Sequence, residues 1–159
     1  MGKFNLFRQL LFASLFLVFS VISKGQTTVF NEDFEGATHQ LTAGGIPAWT
    51  INTSLSVSGS KSIHNVIANL DSSFLVTPTL DLSLYTFVVL DFQHICKIEF
   101  FDSAEIYASI DNGATWQKLP ANTYLGSGQY GTQGDRFNAN SYGTVWLPGN
   151  ALAVPDNTW

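Results

Sequence analysis

Ala104-Glu105-Ile106-Tyr107-Ala108-Ser109-Ile110-Asp111-Asn112-Gly113-Ala114-Thr115-Trp116-Gln117-Lys118-Leu119 carries the plainest structural signal in this chain. Ala104, Ile106, Ala108 and Ile110 alternate with Glu105, Tyr107 and Ser109, which is the period of a strand with one dry and one wet face. Asp111-Asn112-Gly113 then breaks the run. Asn and Gly tolerate the positive φ that a tight hairpin turn requires, so Thr115 to Leu119 is expected to return as the second strand. The Asp111 carboxylate is placed to accept N–H bonds across the turn, with Trp116 folding back beneath it.

The same language extends outward in both directions. Val29 to Phe34, Trp49 to Asn52, Ser62 to Asn69, Ser73 to Thr77, Tyr85 to His94 and Cys96 to Phe101 are short. They are rich in β-branched or aromatic residues and bounded by Gly, Pro, Asn or Ser. Val88, Leu90 and Phe92 alternate with Asp91 and Gln93, so that segment too is expected to bury one face. No stretch after residue 25 repeats apolar residues at helical spacing for three turns. Short strands with frequent turn signals and no intervening helices point to an all-β sandwich or barrel. A two-sheet antiparallel jelly roll is the expected architecture.

Residues 1–25 read differently. Lys3 and Arg8 form a basic start, Leu10 to Ile22 is apolar apart from Ser14 and Ser20, and Ser23-Lys24-Gly25 follows. Basic, apolar and small in that order is a secretory signal peptide, with cleavage expected after Gly25. The apolar run falls short of the roughly 20 residues that span a bilayer, so no membrane insertion is expected once it is removed. Residues 26–159 then form the mature domain, with four basic against twelve acidic residues and a net charge of −8. Such a surface suits a divalent cation and argues against nucleic acid as a partner. The single cysteine, Cys96, excludes a disulfide within the chain. Its alternation with Ile98 and Phe100 marks it as a small core residue.

From Pro120 the pattern changes. Six glycines fall between Gly126 and Gly149, interleaved with Tyr124, Tyr130, Phe137, Tyr142 and Trp146. A long stretch without strand pattern inside a compact domain is often functional. The chain stops at Asn157-Thr158-Trp159 in mid-pattern. It therefore reads as the front part of a longer protein, its last strands lying further on.

Several motifs recur in a recognisable order. Glu32-Asp33-Phe34-Glu35-Gly36, Pro47-Ala48-Trp49 and Ser73-Phe74-Leu75-Val76-Thr77-Pro78-Thr79-Leu80-Asp81-Leu82-Ser83 are followed by Asp102-Ser103-Ala104-Glu105-Ile106-Tyr107 and by the hairpin. As an ordered set, over residues 30–119, this resembles the MAM-like, cleaved-adhesin jelly-roll domains of exported Bacteroidetes proteins, gingipain adhesin regions among them. It is also similar to the accessory domain of immune inhibitor A proteases. The resemblance implies a calcium-stabilised sandwich that serves adhesion, sugar or protein binding, or the support of a catalytic domain. The hairpin itself matches the Asp-box S-x-D-x-G-x-T-W of sialidase-type propellers, although a propeller repeats its blades roughly every 40–50 residues and this chain has one copy.

Two groups of candidate site residues follow. Asp33 and Glu35 project to the same side of an extended segment, and neighbouring carboxylates favour a bound cation with oxygen ligands, Ca²⁺ above all. Asp102 is the candidate third ligand. Tyr124, Tyr130, Tyr142 and Trp146 are candidate ligand-binding residues, offering aromatic faces to a sugar or a protein surface.

Catalytic signals are thin. His39, His64 and His94 lie on different elements, and neither H-E-x-x-H nor G-x-S-x-G occurs. Gly126-Ser127-Gly128-Gln129-Tyr130-Gly131 fits G-x-G-x-x-G but lacks the flanking strand and helix that a nucleotide loop needs. Asn52-Thr53-Ser54 is a glycosylation sequon, and Asp102-Ser103-Ala104 resembles a Bacteroides O-glycosylation acceptor. The expected function is a secreted or cell-surface, non-catalytic binding module for an extracellular glycan or protein. The alternative is an accessory domain at the front of a secreted protease or glycosidase. A sialidase is the third and weakest reading.

Overall fold

The computed structural model describes residues 26–126, 130, 134–142 and 154–156. Residues 1–25, where a signal peptide is expected, lie outside the described residues, as does Trp146. The chain divides into two compact units, Met1–Asn31 and Glu32–Trp159. In the first, residues 26–31 carry neither helix nor strand.

The second unit is built from strands. β1 (Thr42–Ile46) pairs antiparallel with β4 (Ser72–Val76), β2 (Thr50–Asn52) with β3 (Ser62–His64), and β5 (Tyr107–Ala108) with β6 (Gln117–Lys118). One 3₁₀ turn, Ala121–Thr123, follows β6, and the described residues contain no α-helix. None of them lies in a helix long and apolar enough to cross a membrane. The all-β class expected from the sequence is therefore observed. The three described sheets are two-stranded and share no strand, so they do not themselves close a jelly roll.

β1 was not expected to be a strand, because the middle of Thr42-Ala43-Gly44-Gly45-Ile46 is Ala-Gly-Gly, residues depleted in strands. Its partner explains it. Gly44 stands opposite Phe74 in the register, and a Cβ on Gly44 would come within 2.3 Å of the Phe74 ring. The aromatic ring thus lies over bare backbone, one of the uses of glycine in a strand. Asn65, just past β3, joins this ladder to the next: its Nδ2 donates to the Pro47 carbonyl at 2.7 Å and to Ser73 Oγ at 2.8 Å.

The β5–β6 ladder extends by one further bond, from Leu119 N–H to the Ile106 carbonyl at 2.9 Å. On the other side of the same segment Ala104 and Phe137 exchange both backbone bonds, at 3.1 and 2.8 Å. Beneath this patch lies the core. Ile98, Tyr130 and Phe137 are buried, and Cys96, Ala104, Ile106, Ala121, Tyr124 and Tyr142 pack against them. A buried polar knot abuts it, in which Asn138 N–H donates to Ser141 Oγ at 2.9 Å and Ser141 N–H to the Asn138 carbonyl at 3.0 Å.

The sequence pattern overreaches in three places. Ala104 and Ile106 face the core as the alternation requires, but Ala108 is exposed within β5 itself and Ile110 is 96% exposed beyond it. Cys96 and Ile98 turn inward, yet Phe100 does not. Tyr85 to His94 forms no strand, and Val88, Leu90 and Phe92 are exposed rather than buried. Alternation marks a face that can be covered; a second layer has to do the covering.

Candidate functional site

The hairpin between β5 and β6 is the most fully determined local structure. Asn112 and Gly113 have φ of 58° and 86°, and Ala114 N–H bonds the Asp111 carbonyl at 3.3 Å. Two left-handed central residues closed by an i to i+3 bond make a type I′ turn, whose twist matches that of the flanking strands. Asp111 organises the rest. Its carboxylate accepts the Thr115 N–H at 2.8 Å, the Thr115 hydroxyl at 2.6 Å and the Ser109 hydroxyl at 2.8 Å. Those donors, Thr115 foremost, hold its pKa down at about 2. Gly113 N–H donates to Ser109 Oγ at 2.8 Å, and Trp116 Nε1–H to the Gly113 carbonyl at 3.1 Å. The Asp-box residues are thus bonded to one another, which is the stable-hairpin role.

The acidic N-terminal cluster behaves similarly. Glu35 Oε1 accepts the N–H groups of Ser60 and Lys61, each at 2.8 Å, while Oε2 accepts the Ser60 hydroxyl at 2.8 Å. Lys61 Nζ returns the favour to the carbonyls of Glu35 and Gly36 at 2.9 and 3.1 Å. The Ser60 bonds, ahead of Lys61, lower the Glu35 pKa. Asp33 Oδ1 accepts the Glu35 N–H at 3.0 Å. Glu32 spans Phe34 N–H and Gln40 N–H at 2.8 and 2.6 Å. Glu35 is therefore a clasp between segments 25 residues apart rather than a free ligand, because both its oxygens already accept hydrogen bonds. Among the described residues no group of three or more His, Cys, Asp or Glu is placed to hold a metal ion.

Of the four candidate ligand-binding aromatics, the structure brings three together. Phe137, 2% exposed, is ringed by Tyr130 at 4.9 Å, Tyr124 at 5.4 Å, Tyr142 at 6.1 Å and His94 at 4.7 Å between centroids. Tyr130 is buried, and its hydroxyl donates to the Leu119 carbonyl at 3.0 Å; Tyr124 and Tyr142 are half-buried. Rings packed edge to face, or stacked as Tyr142 is on Phe137, stabilise a core, each pair by about 0.5–1.5 kcal/mol beyond its burial. That turns Tyr130 away from the stacking role expected of it.

His94 meets Phe92 at 5.1 Å and Tyr142 at 5.5 Å, and its Nε2 is hydrogen-bonded to the Tyr142 hydroxyl. Burial lowers its pKa. Burial also pushes the neighbouring Cys96 thiol up to about 12, far from the thiolate a nucleophile needs. Cys96 is the small packing residue that its alternation indicates.

The feature missed as a site is the run that the alternation had assigned to the interior. Leu84, Phe87, Val88, Val89, Leu90 and Phe92 are 89, 77, 51, 54, 61 and 43% exposed. Exposed apolar residues grouped along one segment in this way are a feature of interaction sites. The signal was in the sequence, but an alternating segment looks the same whether its cover is its own chain or another. No protein-family model, no curated protein and no solved structure matches this chain.

Proposed function

We propose that this chain is an exported, non-catalytic binding module whose ligand is an extracellular protein. The observation that carries the reading is the exposed apolar strip from Leu84 to Phe92, since burying such a strip against a partner is the main favourable term in protein association. A glycan is the weaker fit, because Tyr130 and Phe137 are packed against one another. The leader, residues 1–25, and the acidic mature chain support a secreted or cell-surface location. The order of motifs and the antiparallel pairs support a jelly roll of the MAM-like, cleaved-adhesin kind. An accessory domain beside a protease or glycosidase is the second reading, favoured by the same strip if its partner lies in the same polypeptide.

The test is capture of extracellular proteins and glycans by the immobilised full chain and by Val88→Asp/Leu90→Asp. The charged pair is expected to weaken protein capture on the order of tenfold or more, as loss of a hot spot does, with an unchanged far-UV circular dichroism spectrum. Glycan binding that survives this variant and disappears in Tyr124→Ala/Tyr142→Ala would overturn the proposal. A structural Ca²⁺ stays in the reading only through Asp33 and Asp102. EGTA decides it: a lowered Tm retains the ion, and an unchanged Tm removes it.

A further inference from the structure

We propose that Asn112–Gly113 is a latent deamidation site that the folded hairpin holds shut. Asn-Gly is the dipeptide most open to this chemistry, because glycine places no side chain in the path of its own backbone nitrogen. Both residues are exposed at the tip of the turn. In the reaction the Gly113 nitrogen gives up its proton and forms a bond to Asn112 Cγ. The bond from Cγ to the carboxamide nitrogen breaks, and that nitrogen leaves as ammonia. Water then opens the resulting five-membered imide at either carbonyl, giving aspartate or isoaspartate. No oxidant or reductant takes part.

Each of the two reacting groups is held by its own hydrogen bond. The nucleophile, Gly113 N–H, points at Ser109 Oγ at 2.8 Å, and the Ser109 hydroxyl is itself fixed by Asp111 Oδ1 at 2.8 Å. The electrophile is held from outside the hairpin, where Asn112 Oδ1 accepts the Thr79 hydroxyl at 2.5 Å across 33 residues of sequence. Ring closure requires the peptide between Asn112 and Gly113 to rotate while the side chain swings toward it. The first movement breaks the Ser109 bond and the turn's own Ala114–Asp111 bond; the second breaks the Thr79 bond. The type I′ geometry that Asn and Gly make possible is therefore also what keeps them from reacting. Isoaspartate would insert an extra backbone carbon into the turn and prevent the β5–β6 register from re-forming, so the modification would be a permanent record that the hairpin had opened.

The experiment follows isoaspartate at residue 112 by peptide mass mapping as the full chain ages at mildly alkaline pH, folded and in urea. The folded wild type is expected to react several-fold more slowly than the urea-unfolded chain. Thr79→Val and Ser109→Ala are each expected to speed the folded reaction about fivefold, the factor one ordinary hydrogen bond represents. Asn112→Gln is expected to abolish the product. If Ser109→Ala unfolds the hairpin, Thr79→Val, which leaves every bond within the turn intact, decides the matter. Equal rates for folded and unfolded wild type, or wild-type ageing in both folded variants, would overturn the proposal.

Discussion

Phe137→Ala is expected to cost about 3–5 kcal/mol of stability, against a total of roughly 5–15 kcal/mol for a domain of ordinary size. Three consequences of its position combine. The ring is 2% exposed, so its removal opens a cavity that four neighbours would have to collapse into. Of those neighbours, His94, Tyr124 and Tyr130 meet the ring edge-on and Tyr142 stacks on it, and each loses its partner at once. The backbone of residue 137 also closes the outer side of the Ala104 segment, so disorder in the core would reach the β5 strand. The check is the urea midpoint followed by tryptophan fluorescence. Tyr130→Phe provides the calibration: it keeps the ring and removes only the hydroxyl bond to Leu119, so its loss should be near 1 kcal/mol. Equal losses in the two variants would show that Phe137 is not the keystone of this cluster.

Asp111→Ala is expected to dissolve the hairpin while leaving the rest of the unit folded. Three donors converge on that carboxylate, and alanine strands all of them. Loss of cross-strand contacts between Tyr107 and Lys118 in nuclear magnetic resonance spectra is the direct readout. The pH dependence gives an independent one. The folded pKa, about 2, lies below the usual value of 3.8, so the unfolded chain binds the proton more readily than the native one. The stabilisation is therefore complete above about pH 4 and is lost as the pH falls toward 2. Wild type should weaken through that window, and Asp111→Ala should lack this component. Identical acid profiles would remove Asp111 from its organising role.

What the sequence discloses and what it hides divide along physical lines. The hairpin was legible down to its turn residues because everything that determines it lies within eight positions, from Ser109 to Trp116. β2, β3 and most of β4 were legible because β-branched and aromatic residues announce themselves, although the run expected past β3 to Asn69 does not continue as a strand. β1 was not, because Gly44 is a strand residue only by virtue of Phe74, thirty positions away. A comparable distance separates expectation from finding at Glu35, whose pairing with Ser60 and Lys61, 25 and 26 positions on, no local pattern encodes; two close carboxylates suggest a cation until the donors that occupy one of them are seen. The aromatics after residue 120 were singled out as ligand-binding candidates, and Tyr124, Tyr130 and Tyr142 gather around Phe137. Their composition could not say whether they face outward or each other, and Phe137, the ring at their centre, drew the least notice.

The clasp at Glu35 has one more implication. It closes a long loop in a polypeptide with no cysteine pair to do so, and it does this with an anion gripped by backbone amides. Such a closure is indifferent to thiols and reducing agents, which open the disulfide staples common in exported domains. It is vulnerable to acid instead, since a carboxylate held below its usual pKa gives up its grip once protonated. Acidity, rather than the redox state of the surroundings, is the condition that would open this one closure, while the ladders of β1 and β2 stay paired.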